Sequence, residues 1–214
     1  MKHIYFVSGL GADERVFDFL TLDESVQKHF IQWLKPETGE NIESYAQRLC
    51  QQVDQRKDFI LIGVSFGGMI AVEMARHISP SCIIIISSAR HTNEISSLYK
   101  LAGILKLHRI IPGFLLKSSN FISHYFFGTE TTEEKKLLQS ILKDTDLYFL
   151  RWALGQIVCW KTKTSTPGLI KIHGTRDRIL KYRQADYTIQ NGGHLMIVNK
   201  AHEISGIINS LIQG

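Results

Sequence analysis

The chain has 214 residues, of which 44% are hydrophobic and 21% charged, and this composition fits one sizeable globular core better than two. Its 25 Lys and Arg exceed its 20 Asp and Glu, but the formal charge of +5 includes no dense basic block of the kind that binds nucleic acid. Three widely spaced cysteines indicate free thiols, and no apolar run reaches the length of a membrane span. We therefore expect a cytoplasmic single-domain protein without a signal peptide, which binds neither nucleic acid nor a membrane.

The first part of the chain alternates short apolar runs with helical patterns. The apolar runs predict buried strands, which are His3–Ser8, His29–Leu34, Phe59–Ile62 and Cys82–Ile86. Helices are predicted between them, and these are a short one from Ala12 to Phe19, an amphipathic one over Asn41–Val53 and one that ends at Ser79-Pro80. Such alternation predicts βαβ units, and hence a parallel sheet with helices on both faces.

A glycine-rich turn separates the third strand from the following helix. It has the sequence Gly63-Val64-Ser65-Phe66-Gly67-Gly68, which matches the G-x-S-x-G pattern. A sharp turn from strand to helix leaves no room for side chains two positions to either side of its corner residue, so glycine is needed there. The turn would lift the Ser65 hydroxyl to the start of a helix, where the amides favour a developing anion. The alternative is an ordinary turn in which Ser65 only caps the helix.

Residues 89–166 carry helical patterns without clear strands, which predicts an inserted helical cap. Its predicted helices are Ile95–Leu107, Phe114–Phe127, Thr132–Leu142 and Leu147–Trp160. The many aromatic residues of this segment either line a site beneath the cap or form its packing contacts, and packing is the commoner role. Five basic residues form either a solvated helix face or a docking surface for an acidic carrier protein; they are Lys100, Lys106, His108, Arg109 and Lys117.

The sheet is predicted to resume after the insertion, with a polar residue just past each of its last two strands. Asp177 follows the strand Gly168–His173, and His194 follows the strand Tyr187–Gln190 and precedes a closing helix over Leu195–Ile212. The carboxyl ends of parallel strands meet at one edge of a sheet, so Ser65, Asp177 and His194 are expected to converge there.

Each of these side chains also has a simpler interpretation. Asp177 could be an exposed loop residue and His194 a polar residue before a helix. Asp186 is a rival acid, but it precedes the last strand. His173 is expected to be structural, and His202 lies on the closing helix.

Four motifs together resemble the α/β-hydrolase superfamily, and within it the small bacterial carboxylesterase-like members with a helical cap. The motifs are Val7–Gly11, Gly63–Gly68, His173–Asp177 and Gly192–His194. The resemblance implies the α/β-hydrolase fold, with a mostly parallel sheet of about six strands, a core of residues 1–88 and 167–214, and a cap of residues 89–166. The chain departs from the family pattern in having Ser8 where many members have histidine. Its first strand resembles the third strand of the family, so we expect the first antiparallel hairpin to be missing.

The resemblance also implies a chemistry. Ser65 would be the nucleophile, His194 the general base and Asp177 the group that orients the histidine, with Arg176 and Arg178 keeping that carboxylate ionised. The backbone amides of Leu10 and Phe66 would form the oxyanion hole. The resemblance therefore implies a serine hydrolase of the carboxylesterase class, which cleaves a carboxylic ester or thioester of a small apolar substrate through an acyl-enzyme.

The sequence leaves several functions open. A thioesterase or carrier-linked ester hydrolase, a lyase or C–C bond hydrolase, and a receptor that binds without turnover could all be built on this fold. No metal cluster, dinucleotide fingerprint or phosphate-binding loop is present in the sequence, so no cofactor and no metal are predicted. The pattern gives no indication of the oligomeric state.

Overall fold

The centre of the protein is a six-stranded parallel sheet, seen in a computed structural model that describes residues 2–105, 111–162 and 166–213. The strands are β1 (Lys2–Val7), β2 (Val26–Phe30), β3 (Phe59–Val64), β4 (Cys82–Ile86), β5 (Leu169–Gly174) and β6 (Tyr187–Ile189). Their order across the sheet is β2-β1-β3-β4-β5-β6, and every neighbouring pair is parallel. The predicted α/β architecture with about six strands is therefore confirmed.

Nine α-helices lie among the described residues. They are α1 (Ile42–Leu49), α2 (Phe66–Met74), α3 (Ser97–Ile104), α4 (Gly113–Leu116), α5 (Phe121–Phe127), α6 (Thr132–Asp144), α7 (Leu147–Cys159), α8 (Met196–Asn199) and α9 (Ala201–Gln213). The predicted closing helix is thus two helices, which meet at Lys200. In the part of the chain that the structure describes, no helix is both long enough and apolar enough to cross a membrane.

Successive residues of a strand point to opposite sides of the sheet, and helices cover both sides. On one side Leu61 and Ile85 pack with α1 and α2, and on the other Ile62 and Ile84 pack with α8 and α9. A strand that is covered on both faces can be apolar at every position, which accounts for the uninterrupted isoleucines of β4.

The second strand forms earlier in the chain than the predicted range His29–Leu34. Its register with β1 joins Lys2 to Val26 and Phe6 to Phe30, so the pairing ends where β1 ends. Beyond that point Trp33 turns toward the loop after β1 and donates its indole N–H to the Ser8 hydroxyl. Ile31 and Trp33 therefore pack in the core beyond the end of β2, and Leu34 is exposed.

The helical insertion between β4 and β5 differs in detail from the prediction. The range Phe114–Phe127 forms two helices because Asn120 caps the second, accepting hydrogen bonds from the amides of Ile122 and Ser123. Predicted features at residues 106–110 and 163–165 lie outside the described residues, and they include three members of the basic cluster, namely Lys106, His108 and Arg109. The division into a core and a separate cap stays a prediction.

A buried carboxylate joins the end of the insertion to α2. Glu73 is fully buried and accepts a hydrogen bond from the Trp160 indole at 2.7 Å and another from the Thr162 hydroxyl. Its second oxygen accepts from Arg76 at 3.1 Å. Because α2 begins directly after Ser65, these bonds fix the insertion to the helix that carries the candidate nucleophile.

Candidate active site

Ser65 lies at the corner between β3 and α2 in a backbone conformation that side chains rarely adopt, with φ 54° and ψ −120°. Two hydrogen bonds hold this corner, from the Ser65 amide to the Ile86 carbonyl at 2.9 Å and from the Ser88 hydroxyl to the Ser65 carbonyl at 2.6 Å. A Cβ atom added to Gly67 would lie 2.1 Å from the Ser8 carbonyl oxygen, and one added to Gly63 would lie 2.4 Å from the Gly67 oxygen. The predicted need for glycine at both positions is therefore a direct consequence of close backbone packing.

The three polar residues predicted to converge do so. The Ser65 hydroxyl oxygen lies 2.8 Å from Nε2 of His194, and Nδ1 of His194 lies 2.9 Å from Oδ2 of Asp177. Asp177 and His194 are both about 5% exposed, so water competes little for these hydrogen bonds. Asp177 is thus a buried residue and not an exposed loop aspartate.

The Asp177 carboxylate is held on both oxygens. Oδ1 accepts the amides of Ile179 and Leu180, each at 2.9 Å, while Oδ2 faces His194. Burial by itself raises the pKa of Asp177, but the charge of His194 and hydrogen bonds from His173 and His194 outweigh burial, and the pKa ends below its usual range. The carboxylate therefore stays ionised.

The prediction that Arg176 and Arg178 keep Asp177 ionised was wrong. Both arginines are exposed, and Arg178 donates to the Tyr125 carbonyl at 2.8 Å. Their charges face solvent, whereas the carboxylate points inward to the two histidines, which supply the stabilisation instead.

His173 was predicted to be structural, and it also contacts the Asp177 carboxylate of the candidate site. Its Nε2 lies 2.7 Å from the Leu180 carbonyl oxygen and 3.2 Å from Oδ2 of Asp177. Two acceptors on one nitrogen indicate that Nε2 carries the proton. A sequence signal existed in its position at the end of β5, four residues before the acid.

The rival residues lie elsewhere. Asp186 pairs with Arg90 and accepts the Lys171 amide at 2.7 Å, and His202 is exposed on α9. Neither is bonded to Ser65, Asp177 or His194 in the described chain.

The loop after β1 lies against the nucleophile, as an oxyanion hole requires. The position of a Cβ on Gly9 is 3.5 Å from the Cβ of Ser65. The amides of Leu10 and Phe66 donate to no acceptor among residues 2–105, 111–162 and 166–213, so both are available to a ligand. Ser8 supports this loop by donating its hydroxyl to the Ala12 carbonyl at 2.7 Å.

An apolar cavity of about 670 Å³ extends from Ser65 and His194 into the insertion. Its walls include Leu10 and Phe66 from the core and many apolar residues of the insertion, among them Tyr99, Leu116, Phe126, Phe127, Leu150, Leu154, Ile157 and Val158. Other aromatics of the insertion serve packing: Trp152 lies against Tyr45 and Phe66. The described residues contain no group of three or more side chains that could hold a metal ion.

The lowered pKa of Asp177 predicts how its contribution to stability depends on pH. An unfolded aspartate titrates near pH 3.9, so the ionised carboxylate stabilises the fold fully above about pH 4 and progressively less as pH falls toward its lower folded pKa. We expect the difference in unfolding free energy between the unmodified protein and Asp177→Asn to shrink between pH 5 and pH 3, as measured by urea unfolding. A difference that grows as pH falls from 5 to 3 would contradict the conclusion that the Asp177 carboxylate is ionised.

Comparison with known proteins shows the fold. No family model matches the chain, and no curated protein matches it in sequence. An enol-lactonase from Burkholderia xenovorans is similar in structure, with a TM-score of 0.75, 14% identity, and coverage of 100% of this chain and 92% of that one. A thermophilic esterase from Thermogutta terrifontis gives a TM-score of 0.71 at 16% identity, with 100% and 90% covered. A hydrolase from Pseudomonas aeruginosa gives 0.74 at 11% identity, again with 100% and 90% covered. These likenesses show that the chain has the α/β-hydrolase fold.

Proposed function

We propose that this chain, which has the α/β-hydrolase fold, is a serine hydrolase that cleaves carboxylic esters through an acyl-enzyme on Ser65. One observation carries the proposal: Ser65, His194 and Asp177 form an unbroken line of hydrogen bonds of 2.8 and 2.9 Å at the end of an apolar cavity. A serine that merely capped a helix would need neither the histidine nor the buried acid behind it.

The geometry supports a two-step reaction. His194 Nε2 would take the Ser65 proton as the hydroxyl oxygen attacks the ester carbonyl, and would return that proton to the leaving alcohol. Water would then attack the acyl-enzyme with His194 again as base. Asp177 holds Nδ1–H of the ring, which presents Nε2 to Ser65 and stabilises the imidazolium that forms in each step.

The amides of Leu10 and Phe66 are the donors proposed for the oxyanion. Leu10 lies in the loop after β1 and Phe66 at the start of α2, and both residues line the cavity. Donors fixed before the reaction stabilise negative charge without reorganisation, which makes such a site worth several kcal/mol, about 3 for each donor.

The cavity favours an apolar acyl group as the substrate. Its volume of about 670 Å³ is in the range of pockets that enclose a small molecule, and its walls carry few polar groups. Two proteins of similar structure are named as an esterase and an enol-lactonase, and these names support ester cleavage as the proposed reaction. A thioester would suit the same residues, and the choice between oxygen and sulfur leaving groups is open to experiment.

A series of p-nitrophenyl esters of increasing acyl length tests the function. We expect kcat/KM to rise by up to about fourfold for each CH₂ that enters the cavity, and then to fall when the cavity is full. Leu154→Trp should move the maximum to a shorter acyl chain, because Leu154 lines the cavity, whereas Leu98→Trp on the exposed side of α3 should not. Binding of these esters without turnover would favour a receptor and overturn the proposal.

A further inference from the structure

The insertion exposes an unusual number of large apolar side chains. Most of the large apolar side chains that are exposed in the described chain lie between Leu98 and Phe126. The exceptions are Phe19, Leu34, Tyr148 and Tyr182. We call the exposed apolar residues of this range the apolar patch; they are Leu98, Leu101, Ile104, Leu105, Phe114, Leu115, Phe121, Ile122, Tyr125 and Phe126. Phe114 is 74% exposed and Phe121 is 82% exposed, so neither serves the core. Exposed apolar surface gathered in one segment marks an interaction site.

The apolar patch is continuous with the cavity that leads to Ser65. Leu115, Ile122 and Phe126 are exposed to solvent and also line the cavity. An apolar molecule held against these three side chains would therefore lie at the cavity that extends to Ser65.

The segment that carries the apolar patch has basic but no acidic side chains. Residues 95–128 contain no Asp or Glu, and Lys100 and Lys117 lie within that range. The loop after β5 adds four exposed basic residues, Arg176, Arg178, Lys181 and Arg183. Of the two acids in this loop, Asp177 is buried against His194, and Asp186 is paired with Arg90. We call these four the basic border.

The basic border touches the patch directly. The Arg178 guanidinium lies over the Tyr125 ring, 4.0 Å from its centroid, and donates to the Tyr125 carbonyl at 2.8 Å. Tyr125 and Phe126 also share an open groove with Arg176, Arg178 and Lys181. Tyr125 and Phe126 of the patch thus form one surface with three residues of the basic border, and Phe126 also lines the cavity.

We propose that this surface docks on an anionic lipid bilayer, with the apolar patch in the acyl boundary and the basic border against lipid phosphates. The combination of exposed aromatic and aliphatic groups with basic residues is what binds a protein to such an interface without spanning it. The expectation that the chain binds no membrane depends on the lack of a spanning segment, and docking of this kind needs none. Two copies of the chain would bring like charges together, so a homodimer through this face is disfavoured.

Vesicle co-sedimentation tests the proposal independently of the proposed function, because it needs no catalysis. We expect binding to vesicles of phosphatidylcholine and phosphatidylglycerol in equal amounts, and much weaker binding to phosphatidylcholine alone. Phe114→Ser with Phe121→Ser should lower the partition coefficient by about tenfold or more. The double variant Lys181→Gln with Arg183→Gln should lower the partition coefficient by roughly 30-fold. The matched control for the apolar change is Phe19→Ser, and the matched control for the charge change is the double variant Lys28→Gln with Lys57→Gln.

The results of these experiments separate membrane docking from the other possible uses of this surface. Loss of binding in the patch and border variants, with both controls bound and all variants still hydrolysing a soluble ester, supports the proposal. Absence of binding by the unmodified protein, or equal binding to both kinds of vesicle, overturns it. A dimer in size-exclusion chromatography that Phe121→Ser dissociates would assign the surface to a second copy of the chain and would overturn the proposal. Binding of an acidic acyl carrier protein without vesicle binding would assign it to the carrier and would also overturn the proposal.

Discussion

Ser65→Ala is expected to lower kcat for ester hydrolysis on the order of a millionfold, to the level that binding and the oxyanion hole alone can give. The reason is that the hydroxyl oxygen is the proposed nucleophile and lies 2.8 Å from the base His194. His194→Ala should cost about as much, and the double variant little more, because the two groups act as a unit. Steady-state kinetics with the best p-nitrophenyl ester measures these losses.

The insertion offers a matched control for this experiment. The Ser119 hydroxyl lies 3.4 Å from Nε2 of His124, so it also has a histidine neighbour, but neither residue lines the cavity. We expect Ser119→Ala to hydrolyse the ester as the unmodified protein does. Activity that persists in Ser65→Ala, or disappears in Ser119→Ala, would show that the nucleophile has been placed wrongly.

Gly67→Ala is expected to lower the free energy of unfolding by roughly 3 kcal/mol or more, a large share of the stability of a domain of this size. The new Cβ would lie 2.1 Å from the Ser8 carbonyl oxygen and 2.3 Å from that of Val7. Both are backbone atoms at the end of β1, which is held between β2 and β3 and cannot move aside. The strand and the corner would have to separate, and Ser65 would lose its position.

Gly206 provides the comparison for this substitution. It lies in α9 with nothing within 4 Å of an added Cβ, so Gly206→Ala should raise stability by up to about 1 kcal/mol through helix propensity. Urea unfolding of the two variants beside the unmodified protein measures the difference. Equal stabilities of Gly67→Ala and Gly206→Ala would refute the account of the glycine corner.

The inner strands of the sheet were predictable because they are covered on both faces and so have largely apolar sequences. Cys82–Ile86 forms a strand over the predicted range. The edge strand β2 was misplaced because register, and not hydrophobicity, sets where it pairs with β1. In the insertion, the break at Asn120 depends on a side chain that competes with the helix backbone, an effect that apolar periodicity does not reveal.

The candidate site was predictable to the extent that topology determines it. Ser65, Asp177 and His194 each follow a strand, and a parallel sheet brings those positions to one edge. The role of Arg176 and the relation of His173 to Asp177 depend on side-chain direction, which the sequence does not specify. The cavity and the apolar patch depend on how five helices pack, and packing of that kind is decided by tertiary contacts.

The most direct test of the central claim is covalent labelling with a fluorophosphonate, followed by mass spectrometry of the intact protein and its peptides. Such a probe reacts with a serine only where a base activates it. We expect a single adduct on the peptide that contains Ser65, no adduct in Ser65→Ala, and strongly slowed labelling in His194→Ala. Labelling of another residue, or unchanged labelling of Ser65→Ala, would contradict the account.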